Sequence, residues 1–140
     1  MSESPALGTG IEAQPPMVLI VDDFDDALDI YREYLTFKGI QVITASSGAE
    51  CLVLARQYQP ALIFLDIRMA LMSGTQAMQI LRTDPRFAAT PIVALTAHAL
   101  DDERIAALAA GFDEVISKPC NPDALVSAVL RLIATPRSQE

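Results

Sequence analysis

Four short apolar runs in this sequence each end in a residue able to do acid–base, metal or phosphoryl chemistry. VLIV leads into Asp22-Asp23, ALIFL into Asp66, PIVAL into Thr96, and EVIS into Lys118-Pro119. If the runs lie side by side, three carboxylates, a hydroxyl and an ammonium converge. Two carboxylates about 4 Å apart repel by on the order of 4 kcal/mol at an effective dielectric of about 20, equivalent to about three pKa units. Such a group must protonate or hold a cation. A hard divalent ion on one or two carboxylates, its other positions left to water and phosphate oxygens, is the arrangement typical of magnesium at phosphoryl-transfer sites. Manganese is the expected substitute. With the ion and Lys118 neutralising charge, a carboxylate can attack phosphorus and form an aspartyl phosphate. Asp66, at the end of the central run, is the expected nucleophile.

The elements that must position these groups are legible in the hydrophobic pattern. Strands are predicted at 18–21, 41–45, 61–65, 91–95 and 114–117, and helices at about 26–37, 48–58, 74–83, 101–110 and 122–134. Gly39 and Gly111 sit where helix C-terminal caps are wanted, and Asn121-Pro122 supplies an N-cap followed by proline at the first helical position. Strict βα alternation with near-continuous apolar strands predicts an α/β fold: a doubly wound, five-stranded parallel sheet with helices on both faces. In such sheets the ligand site lies beyond the carboxyl ends of the strands. The order 2-1-3-4-5 makes strands one, three, four and five neighbours, so their terminal polar residues meet. Strand two, ending in Ala45-Ser46, contributes nothing comparable.

Composition excludes several classes. The 140 residues carry a formal charge of −8, a sequence pI near 4.5 and 51% hydrophobic residues. That suffices for a single core and provides no basic field for nucleic acid or anionic lipid. No secretory signal or membrane-length apolar run is present. Cys51 and Cys120 lack disulfide-framework or zinc spacing, which suits a reducing cytoplasm. Residues 1–16, rich in Ser, Pro, Gly and Ala, are expected to form a flexible tail. The domain is expected over 17–134, with a short C-terminal tail at 135–140.

From about Met17 to Ile133 the chain resembles the receiver domain of two-component response regulators. The resemblance is carried by VLIVDD, LDIRMALMSG, VALTAHA and GFDEVISKP, in order and suitably spaced. Each motif alone is weak, but four in register are specific. The resemblance implies a flavodoxin-like receiver fold and transfer of a phosphoryl group from a phosphohistidine to Asp66. It also implies that Asp23 and Asp66 are direct magnesium ligands, Asp22 acts through water, and the backbone carbonyl of Arg68 completes the protein's share. Thr96 would hydrogen-bond one phosphoryl oxygen and Lys118 would pair with another. By similarity the Lys118-Pro119 bond is cis.

Two departures from the family pattern matter. The loop after the acceptor usually reads Met-Pro, but Met69 is followed here by Ala70, which removes a φ restraint. Three residues before Lys118, where many receivers carry Tyr or Phe, stands Val115. A valine has one preferred χ1 well and little reach, so the usual aromatic report of phosphorylation is unavailable. Output is then expected through the loop after Thr96, with Ala97 and His98, and through the fourth helix. Arg68 and His98 lie two residues after Asp66 and Thr96, where side chains flank the acyl phosphate. Arg68 is expected to shield it and lengthen its lifetime. His98 is read as a solvent-exposed loop residue and not as a phosphate donor.

Each feature also has a plainer reading. An Asp-Asp pair after a strand is usually a turn or cap, and a Lys-Pro is usually a loop; their placement at adjacent strand ends overturns that. Asp25, Asp26, Asp101 and Asp102 favour helix N-termini. Met69, Met72 and Met78 are expected to pack, and Cys120 to be a small buried thiol. In the last helix Leu125, Val129, Leu132 and Ile133 form a core stripe that Val126 and Leu130 are expected to widen. The side formed by helix four, strand five and helix five is also a candidate apolar partner surface, ranked behind a wide core face.

The resulting expectation is a stand-alone receiver without an effector domain. It would accept phosphate from a histidine kinase or histidine phosphotransfer protein and alter binding to a downstream protein, as a monomer or a phosphorylation-dependent dimer. It would catalyse only its own phosphoryl transfer and dephosphorylation. The phrase TAHAL also resembles receivers of hybrid kinases, which implies a phosphorelay intermediate or phosphate sink as the alternative. A haloacid-dehalogenase-like phosphatase wants an acid two residues after the nucleophile, where this chain has Arg68. A phosphate-independent interaction module would not need the intact acidic pair, Asp66, Thr96 and Lys118.

Overall fold

A computed structural model describes residues 16–97 and 100–134. The elements follow one another as β1 (Met17–Val21), α1 (Asp25–Phe37), β2 (Gln41–Ala45), α2 (Gly48–Tyr58), β3 (Leu62–Asp66), α3 (Gly74–Arg82), β4 (Ile92–Thr96), α4 (Asp101–Ala110), β5 (Glu114–Ser117) and α5 (Pro122–Ala134). A 3-10 turn at Pro85–Phe87, which the hydrophobic pattern did not predict, is capped by the Asp84 side chain accepting from the Arg86 amide. All pairings are parallel and the strand order is β2-β1-β3-β4-β5, as expected.

Alternation along the strands sends residues to two cores. Val18, Ile20, Leu62, Phe64, Val93 and Leu95 pack against α1 and α5. Leu19, Val21, Ile63, Leu65, Ile92 and Ala94 pack against α2, α3 and α4. Every residue of β3 and β4 is buried, which is why their sequences read as unbroken apolar runs. Leu35, wholly buried on α1, anchors one layer; truncating it to Ala costs about 2–5 kcal/mol.

Local signals set the helix ends. Ser47 accepts from the Glu50 amide, and Ser73 forms a reciprocal capping box with Gln76. Asn121 Oδ1 accepts from the Asp123 amide at 2.9 Å at the start of α5. Gly111 follows α4 with φ +130, a conformation that needs glycine. The first turns of α1 and α4 are acidic, through Asp25, Asp26, Asp101, Asp102 and Glu103.

One packing expectation is corrected. Leu130 does not widen the core stripe of α5 but is 66% exposed, because α5 packs through the face that carries Leu125, Ala128 and Val129. Ile105 and Leu108 of α4 are exposed as well. Met78 is buried, and Met69 and Met72 pack at the edge of the same core. Burial pushes the Cys51 thiol up to about 12, which leaves it unreactive. Pro16 is described, its carbonyl accepting from the Gln41 amide, whereas the rest of the expected N-terminal tail and the C-terminal tail fall outside the described residues.

Candidate functional site

The sheet itself brings the chemistry together. The Asp22 amide donates to the Ala45 carbonyl (3.1 Å), extending the β1–β2 pairing by one residue and leaving Asp23 as the first exposed position. Asp66 is the last residue of β3, paired with Leu95, and Thr96 the last of β4, paired with Ser117. The Lys118 amide then donates to the Thr96 carbonyl (2.8 Å), so the lysine too is positioned by sheet hydrogen bonding. The Lys118-Pro119 bond is cis.

At the strand ends, one carboxylate oxygen from each of Asp22, Asp23 and Asp66 lies within 4.8 Å of the others. Asp22 is fully buried, Asp66 is 4% exposed and Thr96 is 4% exposed. Both Asp22 oxygens are engaged: Oδ1 accepts from the Phe24 amide (3.0 Å) and Oδ2 from Lys118 Nζ (2.7 Å). Asp66 Oδ1 accepts from the Arg68 amide (3.2 Å), and Oδ2 accepts from Lys118 Nζ at a longer 3.4 Å.

Burial pushes the Asp66 carboxyl up to about 6; Lys118 opposes the rise and the Asp22 charge adds to it. Burial pulls the Lys118 ammonium down, but its hydrogen bond to Asp22 and the charges of Asp66 and Asp22 outweigh that and hold it above the usual lysine value. Three carboxylates face one ammonium, a surplus of two negative charges when all are ionised. Tyr31 on α1 places its hydroxyl 3.4 Å from Cys120 Sγ, two residues after Lys118. Burial, then Cys120, hold that phenol well above the usual tyrosine value.

The loop after Asp66 is fastened at its base. The Gly74 amide donates to the Ile67 carbonyl (2.8 Å), and a Cβ at position 74 would run into the Asp66 carbonyl oxygen. The glycine eight residues after Asp66 is therefore a close-approach requirement. At the tip, the Met72 amide bonds the Ala70 carbonyl (2.8 Å) around Leu71, which is fully exposed with φ +69.

Of the remaining sequence candidates, Ala97 is exposed just beyond Thr96, Pro119 is exposed beside Lys118, and Val115 is buried against the α2–α3–α4 layer. His98 lies outside the described residues. Sequence reasoning missed Glu103. Its Oε2 accepts from Arg68 Nη2 at 3.1 Å, beside a groove of ≈ 400 Å³ between the loop after Asp66 and α4. No sequence pattern joins residues 35 positions apart.

Comparison with known proteins agrees with this arrangement. Residues 18–130 match the model of the response regulator receiver domain. The chain is 32% identical over 117 residues to the polar-differentiation response regulator DivK of Brucella anthropi, covering 82% of this chain and 94% of DivK. It is 35% identical over 123 residues to the response regulator Rre1 of Synechocystis, covering 87% of this chain and 53% of Rre1. The chain thus spans about half the length of some relatives, Rre1 among them.

Among solved structures, the receiver domain of the sensor histidine kinase PA1611 of Pseudomonas aeruginosa, with a magnesium ion coordinated in its active-site cleft, superposes with a TM-score of 0.79. It is 26% identical, covering 86% of this chain and 99% of that one. A putative response regulator from Chloroflexus aurantiacus gives a TM-score of 0.80 at 30% identity, covering 86% and 98%. Receiver domains are signalling modules that bind magnesium at an acidic pocket and work with histidine kinases or phosphotransfer proteins. With four strand ends converging on one acidic pocket and a family match over most of its length, the chain belongs to the receiver domain family of two-component response regulators.

Proposed function

We infer that Asp66 accepts a phosphoryl group from a phosphohistidine on a histidine kinase or histidine phosphotransfer protein. The observation that carries this reading is the buried Asp66 carboxylate held between Lys118 and two further aspartates at adjacent strand ends. An Asp66 oxygen attacks phosphorus as the donor's nitrogen–phosphorus bond breaks, and the electron pair stays on the imidazole nitrogen. Lys118 pairs with the oxygens that gain charge, and the Thr96 hydroxyl, at the end of the neighbouring strand, hydrogen-bonds another.

The donor set fits a divalent ion: oxygen ligands only, with two negative charges left over after Lys118. Asp23 and Asp66 would hold it directly, with the Arg68 carbonyl. Both Asp22 oxygens already have partners, which suits a role through water. When bound, magnesium or manganese draws charge from the phosphoryl oxygens.

Output passes to another protein through the α4 side. Val115 offers no aromatic lever, whereas Ile105 and Leu108 on α4 and Leu130 on α5 expose apolar surface. A structure with beryllofluoride on Asp66 is expected to show α4 and its preceding loop displaced; an unmoved helix overturns this route.

The primary test is intact mass after incubation with acetyl phosphate and magnesium. One phosphoryl group is expected, and none in Asp66→Asn or without the ion. Failure there and with several phosphorylated histidine proteins would favour a phosphate-independent interaction module. Onward passage to a second histidine protein would identify a relay intermediate.

A further inference from the structure

We propose that Glu103 is a positioning residue that competes with the phosphoryl group for the Arg68 side chain and so sets the lifetime of the acyl phosphate. This rests on Asp66 being the phosphoacceptor. The Arg68 amide already donates to Asp66 Oδ1, which ties the start of this side chain to the acceptor. Its guanidinium is engaged by Glu103 Oε2 at 3.1 Å, so the bridge joins the loop after Asp66 to the first turn of α4.

The bridge is weakly held. Arg68 and Glu103 side chains are 60% and 39% exposed, and pairs of that kind are readily outcompeted by a charge-dense phosphoryl group. Among the described residues Glu103 Oε1 is buried with no hydrogen-bond partner, so they leave the carboxylate only half satisfied even with Arg68 in place. Beside the bridge lies the ≈ 400 Å³ groove, bounded by Ile67, Thr96, Ala106 and Ala107. The guanidinium can therefore turn toward the phosphate without displacing a packed side chain.

When it does, Arg68 covers the phosphorus and Glu103 gives up its hydrogen bond to the loop, which loosens α4 from the segment after β3. Dephosphorylation requires a water oxygen to attack phosphorus as the bond to the Asp66 oxygen breaks. Inorganic phosphate and the carboxylate are released, and the water's proton goes to solvent. A guanidinium over the phosphate obstructs that approach. The tighter Glu103 holds Arg68, the shorter the lifetime.

The test is a double-mutant cycle on the acetyl-phosphate-phosphorylated chain with magnesium, following loss of the phosphoryl group by intact mass. Glu103→Gln, which keeps the shape and removes the charge, and Glu103→Ala are each expected to slow dephosphorylation about two- to fivefold, the scale of an exposed ion pair. Arg68→Ala is expected to speed it, and adding either Glu103 change in the Arg68→Ala background should change nothing further. Glu103→Asp should return the rate toward wild type. Equal effects of the Glu103 changes with and without Arg68, or none at all, overturn the proposal while leaving the phosphoacceptor reading intact. A wild-type chain that takes no phosphoryl group from acetyl phosphate or phosphohistidine proteins overturns both.

Discussion

Two polar clusters sit at opposite ends of β4. At its amino end Arg82 donates to the carbonyls of Phe87 (2.9 Å), Thr90 (2.7 Å) and Gly111 (3.2 Å) and to Asp113 Oδ2 (2.8 Å), which also accepts from the Ile92 amide. At its carboxyl end Lys118 faces Asp22 and Asp66 with Asp23 close by. Both are largely shielded, and both tie together segments far apart in sequence. The first balances one cation with one anion and surrounds them with backbone partners, so it fastens α3, the 3-10 turn and the approach to β5. The second leaves negative charge uncompensated. A cluster that is balanced serves the fold; one held out of balance is ready to receive a cation and an electrophile.

The largest effect should come from the balanced cluster. Arg82→Ala removes four hydrogen bonds, including the shielded ion pair to Asp113, and is expected to cost about 2–4 kcal/mol in urea unfolding. Acceptance of phosphate from acetyl phosphate should persist under conditions where the variant is folded. Loss of acceptance in the folded variant would break the contrast between the two ends.

Next in size is the response of the unbalanced cluster to its ion. Magnesium at a hundredfold excess over its dissociation constant should raise unfolding stability by about 2.7 kcal/mol. Asp23→Asn should abolish most of that gain in a thermal melt, and an unchanged gain would remove Asp23 from the ligand set.

Without metal the same cluster should be a liability. The folded Asp66 carboxyl ionises at about 6, chiefly through burial, while the unfolded group ionises near 4. As pH rises from about 4 to 6 the unfolded chain loses this proton first, so stability falls across that window and stays lower above it. In chelator, Asp66→Asn is expected to be about 2 kcal/mol more stable than wild type above pH 6 and similar below pH 4. Equal stabilities at pH 7 would mean that the charge is already compensated. The smallest effect is expected for an exposed pair: Arg131→Ala, which loses Glu114, should shift stability by less than about 1 kcal/mol.

Much of this contrast could be read from the chain. Strand and helix positions were legible because β3 and β4 are buried on both faces and their runs stop at a polar residue. The predicted 61–65 and 91–95 become Leu62–Asp66 and Ile92–Thr96 because the polar residue itself continues the ladder. The convergence of Asp22, Asp23, Asp66, Thr96 and Lys118 at neighbouring strand ends was legible because parallel topology converts strand ends into neighbours. Side-chain partnerships that topology does not dictate were hidden. Arg82–Asp113 and Arg68–Glu103 join residues about thirty positions apart through long, flexible arginines. Leu130 was misassigned because a stripe in sequence does not say how much of a helix its neighbours cover.

The Ile67–Gly74 hydrogen bond has a wider consequence. It closes residues 68–73 into a loop whose base is pinned against the acceptor's own carbonyl, while its tip at Leu71 projects into solvent. If Asp66 takes the phosphoryl group and Arg68 sets its lifetime, as proposed, substitutions within the loop alter how long a signal persists without moving the strand that receives it. On that reading timing and chemistry are inherited on separate segments, and one short loop is the place to retune this module's memory.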